Sequence, residues 1–192
     1  QYARVGREYV VRKVVGILGG RELDFVHNHH NFAWKERHFG EELVVVRKGA
    51  TPAFPGQRGF VGGSMGDDAV IVAGYESALG ADADLIRELQ QQALFSTVHG
   101  AGRIMSRTAA RGVRRRGRRP GRRGAISREM MDQWIEARGI IVRGGDVDES
   151  PHVYRRLDEV LRDQRGTVVV QHRLRPLIVV MAGPDVVDPF KD

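Results

Sequence analysis

One stretch constrains this chain more than any other: Ser96-Thr97-Val98 runs straight into His99-Gly100-Ala101-Gly102-Arg103. Glycine at 100 and 102 lets backbone approach a ligand where a side chain would clash. It also permits positive φ, so that consecutive N–H groups can converge on an anion. Whatever the fold, it has to hold a histidine at the lip of that turn, with Arg103 and Arg107 just beyond it. If the segment from Ile104 is helical, the two arginines share a face and both guanidinium forks reach phosphate oxygens. The pattern joins a nucleophile to a place for phosphate. Taken by itself it also fits a hydrogen-bonded structural histidine beside an ordinary pre-helix turn, which is the commoner case.

Two further stretches carry related chemistry. Phe60-Val61, Gly62-Gly63-Ser64-Met65-Gly66 and Ala69-Val70-Ile71-Val72-Ala73 read as strand, glycine-rich loop and strand. That is a nucleotide cradle if the loop amides turn inward and a plain hairpin if they do not. His27-Asn28-His29-His30-Asn31 holds three histidines in four positions, and imidazole is a common ligand for transition-metal ions. On an extended backbone His27 and His29 face one way and His30 the other, so at most two could share an ion. This stretch alone therefore cannot complete a metal site. The competing reading is a loop held by histidine hydrogen bonds.

Four motifs in order, Asn28-His29-His30-Asn31-Phe32, Arg47-Lys48-Gly49-Ala50-Thr51, Gly62-Gly63-Ser64-Met65-Gly66 and His99-Gly100-Ala101-Gly102-Arg103 with Met105-Ser106-Arg107, resemble those of the RtcB-type RNA ligases. The resemblance runs from the first helix to Met181-Ala182-Gly183. It implies a GTP- and manganese-dependent enzyme that joins an RNA 3'-phosphate or 2',3'-cyclic phosphate end to a 5'-hydroxyl end through a histidine–GMP intermediate. His99 would be the nucleophile and His30 a manganese ligand. Asn31, Gly62, Gly63, Ser64, Met65, Gly100, Ala101 and Gly102 would surround GMP with the two histidines, and Arg103 and Arg107 would hold RNA phosphate or departing pyrophosphate. His27 and His29 match no ligand of the family, and Tyr154 matches a tyrosine usually found there. The chain departs from the pattern at Ala69, where a serine is common, and at Ala182-Gly183, where relatives often carry Lys-Gly; Lys191 lies too far on to replace that lysine. The family's remaining metal ligands belong to an N-terminal half, and the chain opens on Gln1 within what reads as a helix. The expectation is the C-terminal part of a longer protein, inactive as a ligase by itself. Rival readings are a metal-dependent phosphoesterase or nuclease without a covalent nucleotide and a non-catalytic RNA-binding module.

The second rival rests on charge. The formal net charge is +7, and eight arginines between 111 and 123 account for it. Such a cluster tracks a nucleic-acid backbone, or is a solvated loop whose like charges repel, since Gly-Arg-Arg-Pro-Gly breaks any helix. The absence of cysteine excludes disulfides and thiolate ligands within the chain. No apolar run nears the ~20 residues that span a bilayer, so a soluble, cytoplasmic protein is expected. The length suits one domain, 1–192, of mixed α/β class with β-sheets and packed helices. Helices are expected over residues 2–18, from Asp82 or Asp84 within a surface insertion at 75–95, from Ser127 to Gly139, and from Pro151 past Leu161. Strands are expected from Glu42, Ala69, Ile140, Thr167 and Leu177, the last two central.

Overall fold

The computed structural model describes residues 2–76, 82–113, 121–164, 166–183 and 186. Helix α1 (Tyr2–Ile17) buries none of its residues. Strands β1 (Asn31–His38) and β2 (Glu41–Lys48) pair antiparallel, joined through Phe39 and Gly40, both at positive φ, as a tight two-residue hairpin requires. Short β3 (Ala50–Pro52) follows, and then β4 (Arg58–Val61) and β5 (Ala69–Gly74), an antiparallel pair on either side of the glycine-rich loop. Helix α2 (Ala83–Gln92) lies on the surface with Gln90 as its one buried residue. Strand β6 (Ser96–Val98) leads to the His99 turn. Helix α3 (Arg107–Arg111) runs into β7 (Gly112–Val113), which pairs with β8 (Arg122–Arg123). Arginines 114, 115, 116, 118 and 119 of the basic run, and Lys191, lie outside the described residues.

Helix α4 (Arg128–Arg138) begins and ends where its residues direct: the Ser127 hydroxyl accepts from the Met130 N–H, and Gly139 closes it in the left-handed conformation. Strand β9 (Ile141–Arg143), helix α5 (Leu157–Asp163), and strands β10 (Val168–Leu174) and β11 (Ile178–Val180) complete the order. The class is mixed α/β, with one three-stranded sheet, β10-β5-β4, and several two-stranded ones. Val61, Val70, Val72 and Leu157 form one core cluster; Met65, Met131, Ile135 and Ile140 form another.

Three local expectations are corrected. The segment after Ile104 is not helical until Arg107, because Ser106 is the N-cap and accepts from the Ala109 N–H. The helix expected from Pro151 is broken: a 3-10 turn at Pro151–Val153 gives way to extended Tyr154 before α5 starts. Its apolar spacing is helical, but Tyr154 forms a β-bridge with Arg103, and that tertiary pairing overrides the periodicity. β10 and β11 are not central. Each has one strand neighbour, and Val169, Val170, Leu174, Ile178 and Val180 are exposed, so apolar composition did not mark burial on both faces.

The β1–β2 hairpin is tied to β6 by a buried charge. Arg47, 2% exposed, donates from both Nη atoms to Glu36 (2.7 and 2.9 Å), from Nε to Ser96 Oγ (2.8 Å) and from Nη2 to the Leu94 carbonyl (2.8 Å). The Trp34 ring lies 5.0 Å from its guanidinium carbon, and His38 Nε2 meets Glu36 at 2.8 Å. Burial raises the Glu36 pKa, but hydrogen bonds from Arg47 and His38 outweigh it and hold the carboxyl below its usual range. A depressed carboxylate stabilises above its unfolded pKa and loses that contribution as pH falls through the folded value. Arg47→Met therefore costs about 3–5 kcal/mol at pH 7 by strandling Glu36 without its partner. Denaturant unfolding will show that deficit at neutral pH and a smaller one in acid, where Glu36 is protonated; a deficit below about 1 kcal/mol at pH 7 would show that the pair does not hold the hairpin.

Candidate active site

Strands β3 and β6 pair antiparallel with Ala50 opposite Val98, which brings Gly49 against His99. Gly49, at φ +73, donates its N–H to the His30 carbonyl (2.8 Å), and its own carbonyl accepts from the His99 N–H (3.4 Å). On the other side the His99 carbonyl accepts from Gly62 N–H (3.1 Å), and the Gly62 carbonyl accepts from Ala101 N–H (2.9 Å). A Cβ at position 100 would stand 3.1 Å from the Gly62 carbonyl oxygen, so glycine permits this approach. All four motifs meet here.

The His30 and His99 rings stack, centroids 4.6 Å apart and planes at 11°. His99 stays open to solvent on one side, while His30 and Gly49 take water from the other. That desolvation, with the charge of His30 adding to it, holds the His99 pKa below the ordinary imidazole range. A neutral ring with a free lone pair at neutral pH is the state a nucleophile needs.

A cavity of about 1050 Å³ opens between α1, the loop before β1, and the two glycine turns. His30, Gly62, Gly63, His99, Gly100, Ala101, Gly102 and Arg103 line it, and among the described residues no aspartate or glutamate does. Four buried atoms of its lining have no hydrogen-bond partner among the described residues: Arg7 Nε, His27 Nδ1, Thr51 Oγ1 and Arg103 Nη2. Each such group costs about 1–3 kcal/mol when nothing satisfies it. Two of them belong to permanent cations that can only donate. The wall therefore matches a ligand with anionic oxygens, and its size accommodates a nucleotide.

The arginines are placed differently from one another. Arg103 Nη1 donates to Tyr154 Oη (3.0 Å) and lies 3.6 Å from Glu149, with its guanidinium carbon 5.1 Å from the Tyr154 ring centroid. Tyr154 Oη donates in turn to Glu149. Arg107 binds Glu149 and buried Asp148 (3.2 Å to the latter) and does not line the cavity. The two arginines thus converge on Glu149 through tertiary contacts and not through a shared helix face. Arg111 joins Asp148 and Asp146, and Arg122 and Arg123 are exposed on β8.

Other expected contacts sit apart. Asn31 is exposed at the start of β1 and does not line the cavity. Ser64 Oγ donates to Asp67 (2.8 Å), the Met65 side chain is buried in the core beside Met131, and neither residue lines the cavity. Ala69 pairs with Leu174 in the sheet, and the Ala182 carbonyl accepts from Gly145 N–H. Arg7, Asn28 and Thr51 had no assigned role in the sequence. Asn28 grips Phe60 backbone at both ends (3.1 and 3.2 Å), fixing the edge of β4; its place at the head of the first motif was its sequence signal.

Among the described residues no three histidine, aspartate or glutamate side chains form a group able to hold a metal ion. His30, the expected metal ligand, therefore belongs to no such group among the described residues. Also among the described residues, no helix is long and apolar enough to cross a membrane.

A family described as tRNA-splicing ligase RtcB matches residues 1–182. An RNA-splicing ligase RtcB of Escherichia coli (strain K12) is 34% identical over 161 residues, covering 82% of this chain and 33% of that protein. A tRNA-splicing ligase RtcB of Pyrococcus horikoshii is 31% identical over 183 residues, covering 83% of this chain and 18% of that protein. An RNA-splicing ligase RtcB of Mycobacterium tuberculosis is 31% identical over 204 residues, covering 92% of this chain and 41% of that protein. The chain thus spans well under half the length of these relatives.

The stacked pair yields a titration prediction. In a ring-resolved NMR titration, His99 will take up its proton at a lower pH than free imidazole side chains do, and His30→Ala will move the midpoint up by removing both the covering ring and its charge. A His99 midpoint at or above the ordinary value, unmoved by His30→Ala, would show that stacking does not tune this ring.

Proposed function

Since the chain belongs to the RtcB family, we propose that it carries the guanylate-accepting histidine of a GTP-dependent RNA ligase. The observation that carries this reading is the meeting of His99, poised neutral, with the glycine backbone of the Gly62 loop in a cavity whose unpartnered groups are two guanidinium nitrogens, an imidazole nitrogen and a hydroxyl. In the first step a ring nitrogen of His99 attacks the α-phosphorus of GTP. A phosphorus–nitrogen bond forms, the bond to the bridging oxygen breaks, and pyrophosphate leaves with the electron pair. His99 begins neutral, so the attacking lone pair is free, and Gly62, Gly63 and Gly100 let backbone approach the nucleotide.

Arg103 is the cation placed to offset charge on the phosphoryl oxygens, since its unpartnered Nη2 lies in the cavity wall. Glu149, held by Arg107, orients Arg103 through Tyr154 and directly. In the second step an oxygen of an RNA 3'-phosphate attacks phosphorus on His99, releasing the imidazole and giving an RNA end activated by GMP. In the third, a 5'-hydroxyl attacks the RNA phosphorus, forms the phosphodiester, loses its proton and expels GMP. A 2',3'-cyclic phosphate enters after hydrolysis to the 3'-phosphate. The manganese of the family reading has one donor here, His30.

The test uses the intact protein with manganese and GTP labelled on the α-phosphorus. The expected outcome is acid-labile label on His99, reduced on the order of 10³-fold or more by His99→Ala. Manganese-dependent hydrolysis of RNA phosphoesters with no label would establish the phosphoesterase reading. RNA affinity that survives His99→Ala, with no label on the wild-type protein, would establish a binding module.

A further inference from the structure

A row of rings leaves the cavity along β1. Phe25 and His27 lie in the cavity wall with centroids 5.2 Å apart. His27 meets His29 edge-on at 5.9 Å, His29 meets Phe32 at 5.5 Å, and Phe32 meets Trp34 at 4.9 Å. Phe32 and Trp34, two residues apart on β1, share one face of that strand, while Phe25, His27 and His29 stand on the loop before it and join them through ring contacts. Phe32 is 51% exposed, although a phenylalanine on a strand ordinarily turns inward.

Arg7 of α1 runs beside the row. Its Nη2 donates to His29 Nδ1 at 3.3 Å, and since a guanidinium can only donate, that ring nitrogen is the acceptor and the ring is neutral. Arg4, by contrast, is neutralised by Glu8 one turn on. Arg7 makes no ion pair among the described residues, and its buried Nε has no partner. The arrangement joins a line of partly open aromatic faces to an uncompensated cation at the mouth of an acid-free cavity.

We propose that the row Phe25, His27, His29, Phe32 and Trp34, with Arg7, is a track for single-stranded RNA that leads the strand end to His99. Bases stack on aromatic faces whatever their identity, and a guanidinium takes the phosphate between them, so such a track binds without sequence preference. A duplex has no free base faces and does not fit it. The proposal rests on the reading of the site as an RNA ligase for the direction of the strand, but the track itself is tested by binding alone.

The intact protein is titrated with a fluorescent single-stranded oligoribonucleotide bearing a 3'-phosphate and with the same sequence as a duplex. The single strand should bind at least about tenfold more tightly. Phe32→Ala should weaken single-strand binding about 5- to 100-fold, Phe32→Tyr should restore it, and α-labelling of His99 should stay within about twofold of wild type in both. Arg7→Gln should weaken binding and lower the slope of log affinity against log salt by about 1. Equal affinity for duplex and single strand, or Phe32→Ala affinity unchanged, would overturn the track. So would a loss of affinity seen only together with a lowered Tm, because the rings would then be packing. If the wild-type protein takes no label while the binding results hold, the ligase reading fails and the track stands.

Discussion

Four backbone hydrogen bonds carry the site: Gly49 to His30, His99 to Gly49, Gly62 to His99 and Ala101 to Gly62. They connect segments that lie far apart in the chain, and none uses a side chain. The histidines are therefore positioned by main chain, and their rings remain available for chemistry. Glycine is required where these segments cross, because a Cβ at 100 would press on the Gly62 carbonyl and Gly49 takes a left-handed conformation. The stacked imidazoles and the depressed His99 pKa follow from that backbone arrangement.

Two polar networks hold the crossing from either side. Arg47 ties β1 and β2 to Ser96, three residues before His99. Glu149 and Tyr154 hold Arg103, the residue next after Gly102, and the Arg103–Tyr154 bridge joins that turn to the segment before α5. Both networks are partly or wholly removed from water, so their charge-assisted bonds are stronger than surface pairs would be. Among the described residues the cavity wall leaves Arg7 Nε, His27 Nδ1, Thr51 Oγ1 and Arg103 Nη2 unpartnered. Unpartnered polar groups gathered in one wall mark where a ligand belongs.

Much of this was legible in the sequence. The caps of α4, the strands flanking the Gly62 loop and the end of α1 are dictated by local residues, and they formed where expected. The convergence of the four motifs was expected through resemblance, since no local rule brings Gly49, Gly62 and His99 together. β1 was missed because Asn-Phe-Ala-Trp-Lys-Glu-Arg-His is too polar to signal a strand, and its pairing with β2 and the buried Glu36 make it one. Leu94 and Phe95 adopt positive φ despite their bulk, which no propensity foretells. Arg107 was read by spacing as a partner of Arg103 on a helix face, whereas its acidic partners, 41 and 42 residues on, could be seen only in the fold.

Amide hydrogen exchange in the intact protein tests the central claim most directly. If the four-bond crossing is a built element, the Gly49, Gly62 and Ala101 amides will exchange as slowly as Val70 in β5, through the same global opening. Exchange of these three amides by separate local openings, orders of magnitude faster than Val70 and insensitive to denaturant, would contradict it.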